Sequence, residues 1–88
     1  MKKPDVDVLR SLCELHRSNH FQRFVEWVRE TNNAYQKDFA FVSEEDLKPL
    51  QGRNRELSDL LHHIETAYEV LKARIEEQEI NKVIQQPE

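Results

Sequence analysis

Six apolar residues in the second half of the chain, Leu57, Leu61, Ile64, Tyr68, Leu71 and Ile75, stand 4, 3, 4, 3 and 4 residues apart. The mean step is about 3.5, slightly short of the 3.6 of a straight α-helix. A stripe with this period faces a partner helix along its whole length, which is the coiled-coil arrangement. Leu60 and Ala67 flank it and widen the apolar surface. A helix so marked is longer than the rest of a short chain can cover.

Composition agrees with an all-α chain. The 88 residues form one domain, 1–88, near the size at which one small core suffices. With 38% apolar and 34% charged residues, the chain has the balance of long exposed helices. One glycine and three prolines supply little of the turn chemistry that hairpin strands require. Net charge is −4, with +1 in residues 1–39 and −5 in residues 40–88. An acidic total disfavours duplex binding through the whole surface, so nucleic acid is not the expected partner. Cys13 is the only cysteine, which rules out an intrachain disulfide. Without a recognisable signal peptide or membrane-length apolar run, a cytoplasmic setting is expected.

Three helices can be placed. Pro4, Asp5 and Asp7 mark a short first helix whose Val6, Leu9, Leu12, Cys13 and His16 share a face, ending near Arg17. Ser18 and Asn19 can cap a second, unless the two run on without a break. Phe21, Phe24, Val25 and Val28 give its apolar stripe, with Tyr35 and Phe39 extending it. Trp27 lies beside that stripe, either widening the core or standing at an interface. Thr31, Asn32 and Asn33 have weak helix propensity and predict fraying or a kink.

Ser43 with Glu44, Glu45 and Asp46 is a capping signature for the third helix. Pro49 follows six residues on, predicting either a separate short helix before it or a kink. The helix pattern then continues to Gln78, and Val83–Glu88 reads as a frayed tail. The expected architecture is an antiparallel helical hairpin with a short N-terminal helix and a long coiled-coil-like third helix. A third helix of roughly 30–35 residues reaches about 45–52 Å, against about 30 Å for the second. Roughly 15–20 Å of the seam is left for the first helix or for another chain to cover. Self-association is the simplest supply. The expected interface is Leu57, Leu60, Leu61, Ile64, Tyr68, Leu71 and Ile75.

Chemistry-bearing clusters are sparse. Cys13, His16 and His20 have helical spacing for a metal, but a structural site needs four tetrahedral ligands and a break at Ser18 would turn His20 away. His62 and His63 point about 100° apart on a helix, with no nucleophile placed beside them. No enzymatic site, cofactor or metal is expected. Lys48, Gln51, Arg53 and Arg55 make the one basic-polar patch, able to touch phosphates or to pair with neighbouring acids. Asn54 continues the seam and either fixes register inside it or lies in water. Gly52, within the helix pattern, implies a close backbone approach, relief of strain beside Pro49, or tolerance on an open face.

The run Leu50-Gln51-Gly52-Arg53, followed by Leu57, Leu60-Leu61, Ile64-Glu65 and Ala67, resembles small helical proteins encoded among phage head and packaging genes. Those proteins are similar in having an aromatic-rich first helix, here Phe21 to Trp27. Pro49, directly before the motif, departs from their pattern. The resemblance covers about residues 20–72 and implies a phage origin and a role in virion structure or assembly, in the host cytoplasm or in the virion. It supplies no catalytic residues. The expected function is protein–protein interaction by a self-associating assembly protein, with other virion or host proteins as further partners. The alternatives are an inhibitor or adaptor docking on a host protein, and a nucleic-acid accessory factor using the Lys48–Arg55 patch.

Overall fold

Asp5 starts the first helix by accepting a hydrogen bond from the Val8 amide at 2.9 Å, which satisfies one of the free donors of the first turn. In this computed structural model, which describes the backbone of residues 1–85 and the side chains of residues 1–81, the chain forms three helices. They are α1 (Val6–Leu15), α2 (Asn19–Asp38) and α3 (Glu44–Gln85), with no strand among the described residues. Pro4 lies just before the cap rather than inside the first turn. The Ser18 hydroxyl caps α2 by accepting from the Phe21 amide at 3.3 Å, so α1 and α2 are separate helices. Thr31, Asn32 and Asn33 stay helical, because Asn32 is held by α3 as described below.

α3 is longer than the sequence predicts: 42 residues, with Pro49 inside it. Pro49 cannot donate to the Glu45 carbonyl, yet both residues are exposed, so water can take that acceptor. The helix also runs past Gln78 through Val83 to Gln85, over the first half of the stretch read as a tail. Residues 76–79 lead into it as Glu, Glu, Gln and Glu, good helix formers, and the next breaker is Pro87. Residues 86–88 of that expected tail lie outside the described residues. The length of α3 sets the long dimension of a molecule measuring 65 × 31 × 14 Å.

α1 and α2 both pack on α3 and only weakly on each other. Along α2, later residues meet earlier residues of α3. Arg29 pairs with Glu65 at 2.8 Å, Asn32 bonds Ser58 and Asn54, and Tyr35 shares a groove with Gly52 and Arg53. The apolar centre is Val25, Val28, Leu61 and Ile64, with Leu12, Phe21, Leu57 and Leu60 packed around it. Burying each such side chain contributes about 1.5–3 kcal/mol relative to leaving it in water.

α1 uses another side of α3. Leu9, 1% exposed, sits in a cavity with His62, His63, Thr66, Val70 and Arg74. The Arg74 guanidinium donates to the Pro4 carbonyl at 2.6 Å, ahead of α1, and His16 at its other end reaches the Ile64 carbonyl. Around α3, the Leu57–Ser58–Leu61 side and the Leu60–His63–Val70 side point about 150° apart. Two flanking helices on nearly opposite sides of a third give a flat molecule, which accounts for its 14 Å thickness.

Candidate interaction surfaces

The seam residues do not share one environment. Leu61 and Ile64 are 7% and 2% exposed, closed over by α2 within the single chain, and Leu57 and Leu60 are half-buried beside them. Leu71 and Ile75 are half-buried, whereas Tyr68 is 69% exposed. Ile80, further along α3, is also largely in solvent. The α2–α3 hydrogen bonds and the ion pair reach α3 only from Asn54 to Glu65, so the seam beyond Tyr68 lies past that stretch.

Asn54 has a definite role in the fold. Its side-chain amide donates to Asn32 Oδ1 at 2.6 Å and to the Asn32 carbonyl, while the Asn32 amide donates to Ser58 Oγ at 2.9 Å. Asn32 is only 6% exposed, so these bonds satisfy a polar group that burial would otherwise penalise. They fix the register of α2 on α3 within one chain. Arg29–Glu65 lies between the same helices, but with both side chains half-exposed it adds at most about 1 kcal/mol.

The basic-polar patch divides. Lys48, Gln51, Arg53 and Arg55 are all exposed, but helical geometry puts Lys48, Gln51 and Arg55 on one face and Arg53 about 140–160° away from them. Arg53 lines a shallow groove with Tyr35, Gly52, Glu56 and Leu57. A phosphate backbone would therefore meet three polar groups from this patch at most. Gly52 has no positive φ, and a Cβ built there meets nothing within 4 Å. Neither a close approach nor a special backbone accounts for it, and the open face remains.

His16 is fully engaged. The Ile64 carbonyl can only accept, so the His16 Nε2 carries the proton and donates across 2.6 Å. Nδ1 then accepts from the Gln22 amide at 3.1 Å, and the same amide group holds the His16 carbonyl at 3.0 Å. These bonds fasten the corner between α1 and α2 to the middle of α3. Both ring nitrogens being occupied, His16 offers a metal nothing, and His20 lies exposed on α2. Among the described residues no three His, Cys, Asp or Glu side chains are gathered as metal ligands would be. His62 is exposed, while His63 is half-buried beside Leu60 and Leu12.

The outer side of α2 carries an aromatic surface, the exposed one of the two places expected for Trp27. Phe24, expected in the inward stripe, is 48% exposed, and Trp27 is 61% exposed. Their ring centroids are 6.0 Å apart, and Phe24 stacks in turn on Phe21 at 6.3 Å. The inward residues of α2 are Phe21, Val25, Val28, Asn32 and Tyr35, spaced 4, 3, 4 and 3. The polar Asn32 in that series concealed it, and Phe24 stood in its place as the apparent member. Trp27 therefore does not widen the core.

Among the described residues no helix is long and apolar enough to cross a membrane. No family model matches this chain, nor does any curated protein or solved structure.

Proposed function

We propose that this chain is a non-enzymatic protein–protein interaction module that self-associates through its long helix. The α2 and α3 helices act as an antiparallel hairpin, and the coiled-coil-like seam of α3 continues past it to receive a partner. The observation that carries this reading is the exposure of Tyr68, at 69%, on the same stripe whose Leu61 and Ile64 are sealed inside the chain. Tyrosine on an apolar stripe supplies large contact area and one polar handle, the chemistry of a protein interface. Leu71 and Ile75 continue the surface, and Leu57, Leu60, Leu61 and Ile64 shape it from below as the hairpin core.

A small phage protein with a structural or assembly role fits this reading, on the strength of the Leu50–Arg53 resemblance. Its other partners would be virion or host proteins. Light scattering across a concentration series tests the self-association: the mass should rise above the 10.6 kDa of one chain. Tyr68→Glu should return it towards that value without unfolding the protein. A mass of one chain at every concentration would overturn the proposal.

A further inference from the structure

The outward face of α2 carries a pattern of its own. His20, Phe24, Trp27 and Thr31 are spaced 4, 3 and 4, the same alternation that marks the inward face. His20, Phe24 and Trp27 are exposed, and they line a shallow surface groove with Arg23, Glu26 and Glu30. Arg23 and Glu30 stand seven residues apart, so they lie on one flank of this stripe. Within the chain Arg23 pairs only loosely with Glu26, at 3.8 Å and with the Arg23 side chain 86% exposed, which leaves it free to swing.

Opposite charges a heptad apart on one flank are self-complementary in one orientation. When two copies of such a helix lie antiparallel, the flank of one runs beside the same flank of the other in reverse, and Arg23 faces Glu30 twice. A parallel pair instead stacks Phe24 on Phe24 and Trp27 on Trp27 and separates the charges. A partner with a uniformly acidic or basic face would match one of these two residues and repel the other. We propose that this face binds a second copy of the chain, through two α2 helices packed antiparallel about a two-fold axis between Phe24 and Trp27. Phe24 of one copy then meets Trp27 of the other. Trp with a neighbouring Arg is the composition found at the energetic centre of interfaces, and a two-fold contact needs only one such patch per chain. This contact is separate from the Tyr68 surface on α3.

Charge reversal tests the geometry directly, with the dissociation constant read by sedimentation. R23E sets acid against acid at both symmetric positions and should weaken the contact about tenfold. R23E/E30R, which exchanges the charges, should restore it to within about threefold. Mixing the R23E chain with the E30R chain should give a heterodimer tighter than either variant with itself. Trp27→Glu should abolish the contact, and an unchanged circular dichroism spectrum will show that it folds. Equal association by the parent, R23E and Trp27→Glu chains would overturn the inference, as would R23E/E30R remaining as weak as R23E. Tyr68→Glu keeps the two surfaces distinguishable. If it removes all association while Trp27→Glu removes none, the α2 contact is wrong and the α3 reading stands. The reverse result refutes the α3 reading and supports this one.

Discussion

Leu57, Leu61 and Ile64 on one half of the α3 seam, and Tyr68, Leu71 and Ile75 on the other, alternate by 3 and 4 residues alike and meet different surroundings. The first three pack in the core with α2, whereas in the second half Tyr68 stands in solvent and Leu71 and Ile75 are half-buried. The difference lies in reach and direction. α2 has 20 residues against 42 in α3, and α1, which has the length to cover more, packs on the other side of α3. A heptad stripe states that a face wants a neighbour. It does not state whether that neighbour belongs to the same chain.

The comparison breaks most visibly at Leu61 and Ile64. Truncating either to alanine should cost about 2–5 kcal/mol, a large share of the roughly 5 kcal/mol expected of a domain this small. His62→Ala, on an exposed position between them, should change stability by less than about 0.5 kcal/mol. Urea unfolding at low concentration measures both. Equal losses would mean that the covered half of the seam is misplaced.

The polar register of the covered half comes next. Asn32→Ala takes the side-chain partner from Ser58, leaves Asn54 only its longer bond to the residue 32 carbonyl, and should cost about 1–3 kcal/mol. Replacing Asn32 and Asn54 together by leucine removes both amides, leaves only the exposed Ser58 hydroxyl to water, and should cost less than Asn32→Ala alone. A double variant less stable than the single one would show that the network is more than a pairing of two polar groups.

Which parts of this were legible from residues follows from the physics. Helix starts were readable because caps are local: Ser18 needs only Phe21, three residues away. The covered seam was readable because its period survives any context. The side of α3 taken by α1 was not, since Leu9 comes to line one cavity with His62, His63 and Val70, more than fifty residues away in sequence. Asn32 was misjudged for a related reason. Its propensity argues against helix, and a partner on another helix overrides it. The outward ridge of α2 was present as the 4-3-4 spacing of His20 to Thr31, but Phe24 had been spent on the inward stripe.

Gly52 sharpens the comparison just ahead of the covered half, at an open position. A methyl group there meets nothing within 4 Å, and the backbone is ordinary helix. Gly52→Ala should stabilise the chain by up to about 1 kcal/mol, by restricting the unfolded chain. A melting temperature that falls would place a neighbour against Gly52 and extend the covered half of α3 to it.

The smallest change in stability is expected at Tyr68, and its smallness is informative. With 69% of its surface already in water, Tyr68→Ser removes little burial and should shift unfolding in dilute solution by less than about 0.5 kcal/mol. The proposed self-association would engage the folded chain and not the unfolded one, so on that reading the parent's melting temperature should rise with concentration. Tyr68→Ser should rise less over the same range, and the two curves should converge on dilution. Leu61→Ala should behave oppositely, with a large loss at every concentration, because its contacts are made inside the chain. If Tyr68→Ser loses as much as Leu61→Ala in dilute solution, the second half of the seam is covered within the chain after all, and the contrast between the two halves of α3 disappears.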